Sequence, residues 1–380
     1  MDTARVEVAV IGAGVIGLAI AARLAEDGRE VVVLEAADAI GTGISSRNSE
    51  VLHAGLYYPP GSLKARLCVD GNRRLYDWCA RAGVAHRRLG KLIVAASDDE
   101  VDRLAALRKT AAANGVDLPW LDGAALRALE PALARCAAGL LSPTTGIVDS
   151  HGLMLSLQGT AEAHGAMTAL RAPVVGGGPA AGGGLRLRIG GASPLVVDCR
   201  VAVNAAGLGA PAVSRAIEGV AAVPPLRLCK GSYFDLAGRP PFSHLVYPLP
   251  ERAGLGVHFT LDLGGRGRFG PDTEWLEEDA DPAAVDLAVD AARAAAFQDA
   301  IRRYWPDLPD DALRPAYAGL RPKIQGPRDD AGQGTADFVV HTPRETGVEG
   351  FFTLYGIESP GLTASLALAE HLSDLIAEHS

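Results

Sequence analysis

Gly12-Ala13-Gly14-Val15-Ile16-Gly17 sets three glycines at the spacing G-x-G-x-x-G. Such a run lets the chain turn tightly, brings backbone against a pyrophosphate and aims a helix N-terminus at the phosphates. Glu35 follows Gly17 by 18 residues, where an acidic side chain accepts hydrogen bonds from an adenosine ribose and disfavours a 2′-phosphate. Together they predict a bound dinucleotide; the alternative is a turn of the same shape without a ligand. Glu35 does not separate FAD from NAD. The far end of the chain favours FAD, because Gly356-Ile357-Glu358-Ser359-Pro360-Gly361-Leu362-Thr363 is a second Gly-rich turn and one long ligand could touch both. Pro360 and Gly361 precede a helix whose amide-rich start can stabilise negative charge on a reduced flavin ring. Taken alone, that stretch is an ordinary helix start.

The elements that must hold these residues follow from hydrophobic periodicity. Val6–Ile11 and Val31–Leu34 are apolar runs suited to strands, joined through the Gly-rich turn by a helix-compatible stretch to about Asp27. Gly90–Ala96 reads as a strand, and Ser97-Asp98-Asp99-Glu100 has capping-box spacing before a helix that stops near Gly115. Three strand-like segments between Leu170 and Val203 form a β-meander, the first two separated by Gly176-Gly177-Gly178 and Gly182-Gly183-Gly184. That cluster suits an exposed, flexible hairpin loop. Beyond Pro224 and Pro225 the runs Gly231–Leu236, His244–Pro248 and Gly254–Thr260 read as strands, and Pro282–Tyr304 as an Ala-rich helix. The chain closes with a strand over Gly350–Leu354 and a helix over Gly361–Ala377.

Composition narrows the partners. A chain of 380 residues with 48 % hydrophobic residues has the material for two or three packed domains. A net charge of −9 argues against nucleic acid, while leaving room for a local basic pocket that takes an acidic substrate. Cys68, Cys79, Cys136, Cys199 and Cys229 are scattered and form no C-x-x-C pair, so neither a disulfide framework nor a metal site is expected, and a reducing, cytoplasmic setting fits. No apolar run reaches the roughly 20 residues of a membrane-spanning helix, and the first residues carry no cleavable leader. The expectation is a soluble protein, at most peripheral on the inner face of a membrane.

With both Gly-rich turns and the segment Ser45-Ser46-Arg47-Asn48-Ser49-Glu50-Val51-Leu52-His53-Ala54-Gly55-Leu56-Tyr57-Tyr58 in view, the chain resembles the D-amino-acid-oxidase-like FAD oxidoreductases from end to end. Within them His53–Lys64, Gly256–Thr260 and Gly319-Leu320-Arg321-Pro322-Lys323 are most similar to the L-2-hydroxyglutarate dehydrogenase/oxidase group. Asn204-Ala205-Ala206-Gly207 is similar to the strand-to-turn segment that returns to the FAD domain, and Val174-Val175 falls where an adenine-side strand is expected. The resemblance implies an α/β (α+β overall) fold: a Rossmann-like FAD-binding domain with a β-meander from residues 1–88, 140–223 and 318–380, and a substrate-binding domain on a mixed or antiparallel sheet from 89–139 and 224–317. FAD would lie between them, non-covalently, since Cys68 and Cys229 match no attachment position. Its contacts would come from Gly12, Gly14, Gly17, Glu35, Ser45, Arg47, Asn48, Val175 and Gly207, and at the far end from Gly356, Ser359, Pro360, Gly361, Leu362 and Thr363.

The implied activity is oxidation of a small 2-hydroxy acid, L-2-hydroxyglutarate above all, with electrons passing to oxygen or to a quinone. Hydride transfer to flavin N5 needs a base for the hydroxyl proton, and histidine has the side-chain pKa nearest neutrality. His53 is the candidate base; the bland reading is a histidine that only hydrogen-bonds flavin or substrate. Arg321 is the candidate carboxylate anchor, because guanidinium binds carboxylate in bidentate fashion; an inter-domain salt bridge is its alternative. Tyr233, His258 and Thr260 either line the substrate pocket or pack and satisfy one another. Lys64 and Arg66 read as solvated surface more readily than as partners of a distal carboxylate. Two other functions remain open at this point: oxidation of a D-amino or N-methyl amino acid such as sarcosine, and a non-catalytic FAD-binding electron-transfer subunit. The sequence leaves the oligomeric state open.

Overall fold

β-Branched residues dominate the runs flanking the first Gly-rich turn, and both are strands: β1 (Thr3–Ile11) and, after helix α1 (Val15–Glu26), β2 (Val31–Leu34). The structure is a computed structural model and describes residues 2–249, 256–327 and 336–379. Helix α2 (Leu63–Ala82), strand β3 (Lys91–Ala95), helix α3 (Val101–Ala113), strand β4 (Ala138–Ser142) and helix α4 (Ser150–Ala163) follow. Next come β5 (Met167–Ala169), β6 (Val174–Pro179), β7 (Leu185–Ile189) and β8 (Leu195–Asn204). Then β9 (Arg227–Leu236), β10 (Leu245–Pro248), β11 (Phe259–Leu261), β12 (Gly267–Phe269) and β13 (Glu274–Trp275) precede helix α5 (Ala294–Arg302). The last elements are β14 (Leu313–Lys323), β15 (Val339–His341), β16 (Phe351–Tyr355) and α6 (Gly361–Glu378).

One sheet has the order β6-β7-β8-β1-β2-β5, with β16 added to β8 and β15 to β16. Its centre is parallel and the meander β6-β7-β8 is antiparallel. The other sheet runs β13-β9-β12-β11-β10-β3-β4, is extended by Trp120–Asp122, and carries β14 paired along β9. Its pairings are antiparallel except that of β3 with β10. The architecture is thus the expected α/β layer with a meander beside a mixed sheet.

The first core is aliphatic, built from Val8, Val10, Leu18, Val31, Leu368 and Leu372 of β1, β2, α1 and α6. Helix α1 sits so close to its own turn that a Cβ on Gly17 would lie 1.9 Å from the Gly12 carbonyl oxygen. The second core is aromatic: Phe234 packs on Phe297, and Phe242 on Phe259, with ring centroids 4.7 and 5.2 Å apart. Helices α2 and α6 cross at Gly71, where a Cβ would meet the Thr363 carbonyl oxygen at 2.2 Å.

Three local expectations change. Gly176–Gly178 are strand residues buried in β6, and only the second glycine triplet makes the turn. The reason is close approach: Gly177 donates to the Ala216 carbonyl at 3.1 Å and accepts from Glu218 at 2.9 Å, and a Cβ on Gly177 would press on Arg186 O at 2.7 Å. Residues 282–290 are not helical. Lys230 Nζ donates to the carbonyls of Asp286 and Ala288 at 2.9 and 2.8 Å, and the Asp290 carboxylate caps a start at Ala291. The capping box at Ser97 does not form, because Glu100 accepts from Ala96 N at 2.8 Å and pairs with Arg303. Within Gly254–Thr260 the first two residues lie outside the described residues, and the strand begins at Phe259. All five cysteines are free and buried.

Because the three atoms that face Gly71 all belong to the backbone of α6, none can rotate away. Gly71→Ala is therefore expected to destabilise the protein by about 1–3 kcal/mol, read as a lowered midpoint in thermal or urea unfolding; an unchanged midpoint would show that the helices separate freely.

Candidate active site

A cavity of about 820 Å³ runs between the two sheets. Gly12, Gly14 and Glu35 line one end with Pro173 and Val174, and His53, Arg321 and Ser359 line the other. At the first end Glu35 grips the turn itself, accepting from Ala13 N at 2.7 Å and Ala37 N at 2.8 Å. Ser45 Oγ accepts from Val15 N at 3.0 Å, and Asn48 Nδ2 donates to Ser45 O at 2.6 Å, so residues 45–48 close over the start of α1. Gly12 must lack a side chain, since at φ 102° its Cβ would stand 2.8 Å from Ala205 O. Arg47, Gly207 and Gly356 are on the wall as well. So are Pro360, Gly361 and Leu362, where α6 begins without any side-chain cap. Gly361 N donates to the Glu358 carbonyl at 2.6 Å, and the next amides, those of Leu362 and Thr363, are left for a ligand or solvent.

Two long-range bonds fix His53. Its N–H donates to Thr363 Oγ1 at 3.0 Å, and its carbonyl accepts from Asn72 Nδ2 at 2.9 Å. On the ring, Nε2 is 3.3 Å from Ser359 Oγ, while Nδ1 is buried with no partner among the described residues. Burial first, and the nearby Lys91 ammonium second, lower the imidazole pKa to about 3, so the ring is neutral at ordinary pH. Lys91 lies fully buried behind the wall, over the rings of Tyr57 and Tyr247 at 4.7 and 4.5 Å, and desolvation brings it down to about 7. Tyr247 stacks on His258 at 3.9 Å, and burial pushes His258 well below its ordinary value.

Arg321 is held as rigidly as His53. Nη1 donates to Cys229 Sγ at 3.1 Å and Nη2 to Asp272 O at 2.8 Å. Gly231 on the paired strand makes room, for a Cβ there would lie 2.7 Å from Nη2. Glu358 adds a negative charge on the same wall, with Lys64 Nζ at 3.1 Å and Lys323 Nζ at 3.3 Å from its Oε1. Burial works to raise the Glu358 pKa, but Lys64, Lys323 and Arg321 outweigh it and hold the carboxylate below its usual range. Tyr233 stacks on Tyr317 at 4.6 Å, and the Tyr317 hydroxyl donates to Asn48 O at 2.5 Å, joining the wall of β9 and β14 to the loop of residues 45–48.

Not every expected residue reaches the cavity. Val175 is 55 % exposed and off the wall; Val174 takes that place, because β6 bulges between Val174 and Gly176. Gly17 and Thr363 lie behind the wall, the first packing α1 and the second holding His53. Thr260 is off the wall too, its hydroxyl 3.4 Å from Arg268 O across the sheet. Lys64 is 2 % exposed and ion-paired, so it is not solvated surface, whereas Arg66 is exposed. Sequence reasoning passed over Tyr57, Tyr247, Lys91 and the Glu358 carboxylate. A lysine opening the otherwise apolar Lys91–Ala95 was the available signal for one of them.

A family profile described as FAD dependent oxidoreductase matches residues 7–375. The mitochondrial L-2-hydroxyglutarate dehydrogenase of Arabidopsis thaliana is 42 % identical over an alignment covering 97 % of this chain and 83 % of that protein. L-2-hydroxyglutarate dehydrogenase of Escherichia coli K12 is 33 % identical, over 69 % of this chain and 63 % of its own length. Among solved structures, L-alpha-glycerophosphate oxidase from Mycoplasma pneumoniae with FAD bound shares the fold with a TM-score of 0.86 at 21 % identity, covering 99 % of this chain and 95 % of that one. Glycine oxidase from Geobacillus kaustophilus gives 0.81 at 20 % identity, covering 99 % of this chain and 95 % of that one.

Glu35→Ala removes the acceptor of two turn amides. With charged hydrogen bonds worth about 1.5–3 kcal/mol each, dinucleotide affinity should fall at least tenfold, measured by fluorescence titration of the stripped protein; wild-type affinity would mean that Glu35 does not shape the site.

Proposed function

The chain belongs to the FAD dependent oxidoreductase family, and from that premise we propose that it oxidises L-2-hydroxyglutarate to 2-oxoglutarate. The observation that carries the reading is the pairing, at one end of the cavity, of a neutral buried His53 with a fixed Arg321. The likeness to L-2-hydroxyglutarate dehydrogenase over nearly the whole chain supports the choice of acid.

The residues fit FAD. Gly12, Gly14 and Glu35, with Ser45, Arg47 and Asn48 above them, suit the adenosine and pyrophosphate, and the uncapped start of α6 at Pro360–Leu362 suits the flavin end. FAD, when bound, supplies the acceptor for the hydride that leaves C2 of the acid. Arg321 binds the carboxylate next to that carbon, offering what remains of its guanidinium after Cys229 and Asp272 have fixed its plane. His53 takes the hydroxyl proton at Nε2, the nitrogen beside Ser359, with Nδ1 carrying the ring's own proton. The depressed pKa keeps the base form populated while the buried walls exclude water. Tyr233 and His258 complete the wall around the acid. The electrons pass on to oxygen or to a quinone, from a cytoplasmic protein that docks at most peripherally on a membrane; among the described residues no helix is long and apolar enough to cross one.

Anaerobic mixing with L-2-hydroxyglutarate should bleach the flavin absorbance, while D-2-hydroxyglutarate and sarcosine should not; bleaching by sarcosine instead would move the assignment to amine oxidation. His53→Asn should slow that bleaching by about 10²–10⁴-fold with FAD retained, the range for loss of a general base; a change under threefold would remove His53 from proton transfer.

The pH dependence follows from the same group. A base works deprotonated, so activity is lost as pH falls through its folded pKa. With His53 lowered from 6.5 to about 3, kcat/KM should show no acid limb from this group between pH 8 and pH 5. A limb near 6.5, the value of an ordinary solvated histidine, would contradict the buried neutral state.

A further inference from the structure

Arg321 is not the only cation that β14 brings to the cavity. Lys323 follows it by two residues, and side chains two apart on a strand share a face. The paired strand identifies that face: Cys229 stands opposite Arg321 and Gly231 opposite Gly319, and all four line the cavity, as Lys323 does. Residues two apart on a strand are about 6.7 Å apart, and the two carboxylate carbons of an extended five-carbon diacid are roughly 5 Å apart, from four carbon–carbon bonds of about 1.52 Å. Two side chains leaning slightly together span that length.

Resting on the reading of the acid as L-2-hydroxyglutarate, we propose that Lys323 binds its distal carboxylate and thereby selects a diacid over a monoacid of equal chain length. In the structure the Lys323 ammonium pairs with Glu358 at 3.3 Å and lies 5.5 Å from the centre of the Trp275 ring. Glu358 keeps Lys64, 2 % exposed, on the same Oε1 at 3.1 Å when Lys323 turns to the acid, and Arg321 adds its charge nearby. Lys323 exchanges one carboxylate for another, and Lys64 keeps Glu358 from repelling the arriving dianion. The Trp275 ring beside the ammonium supplies the apolar surroundings that make an unpaired distal carboxylate, or an unpaired methyl opposite an ammonium, costly.

The test compares L-2-hydroxyglutarate with L-2-hydroxypentanoate, which has a methyl where the diacid has its distal carboxylate. Glutarate and pentanoate, which cannot react, serve as binding probes through their perturbation of the flavin spectrum. The wild-type holoenzyme should bind glutarate at least tenfold more tightly than pentanoate. Lys323→Met should reduce that ratio, and the matching ratio of flavin reduction rates, at least tenfold, and Lys323→Arg should restore most of it. A wild-type ratio near one, or a ratio that Lys323→Met leaves unchanged because both acids weaken together, overturns the proposal; should the Met variant not fold, the wild-type ratio and the Arg variant decide. If L-2-hydroxyglutarate fails to bleach the wild-type flavin at all, the assigned activity falls, a result separate from any change in the ratio.

Discussion

The hydrogen bond from the His53 amide to the Thr363 hydroxyl joins two residues 310 positions apart and sets the geometry of everything around it. Thr363 sits in the first turn of α6, the helix whose uncapped start lies at the end of the cavity proposed for the flavin. The same hydroxyl reaches the Val51 carbonyl at 3.3 Å, so the candidate base and that helix start move as one body. Gly71 lets α2 approach until its backbone touches Thr363, and Asn72, the next residue, holds the His53 carbonyl. Register between base and flavin end is therefore a property of backbone packing, which is stiffer than any surface loop.

Charge is arranged on the same principle. Arg321 and Lys323 share the far wall with the Glu358 carboxylate, which Lys64 holds from behind that wall. Buried cations are costly unless paired; here two lysines meet on one Glu358 oxygen, and a guanidinium donates to a thiol and a backbone carbonyl. Lys91 goes further, with aromatic faces in place of an acceptor among the described residues, and its charge adds to the burial that keeps the neighbouring histidines uncharged.

Much of this was readable from residue order. The glycine spacing and Glu35 announced a tight strand-to-helix turn that stands on the cavity wall, because backbone sterics leave few other uses for that pattern, and the strands around it fall where the apolar runs lie. Where the reading slipped, a partner distant in sequence was responsible. Gly176–Gly178 looked like a loop because composition does not reveal that residues 216–218 press on them. Lys230 pulls residues 286–288 out of an apparent helix from 56 positions away. Lys64 carried the usual expectation of exposure until Glu358, nearly 300 residues on, was brought beside it. The offset between Val174 and Val175 is a single bulge, which inverts the alternation of a strand without leaving a mark in its sequence.

Arg321 spends two of its donors inside the protein, on Cys229 and Asp272, before any acid arrives. A guanidinium on a free stem would follow a substrate through several poses; this one cannot. With the roles proposed for it and for His53, the carboxylate and the hydroxyl of the bound acid are each assigned a place, and the hydrogen on the carbon between them has one direction left. Three non-collinear fixed points are what any surface needs to tell an object from its mirror image. The choice of enantiomer, by this account, is made by a thiol and a backbone carbonyl, acting through the guanidinium they hold.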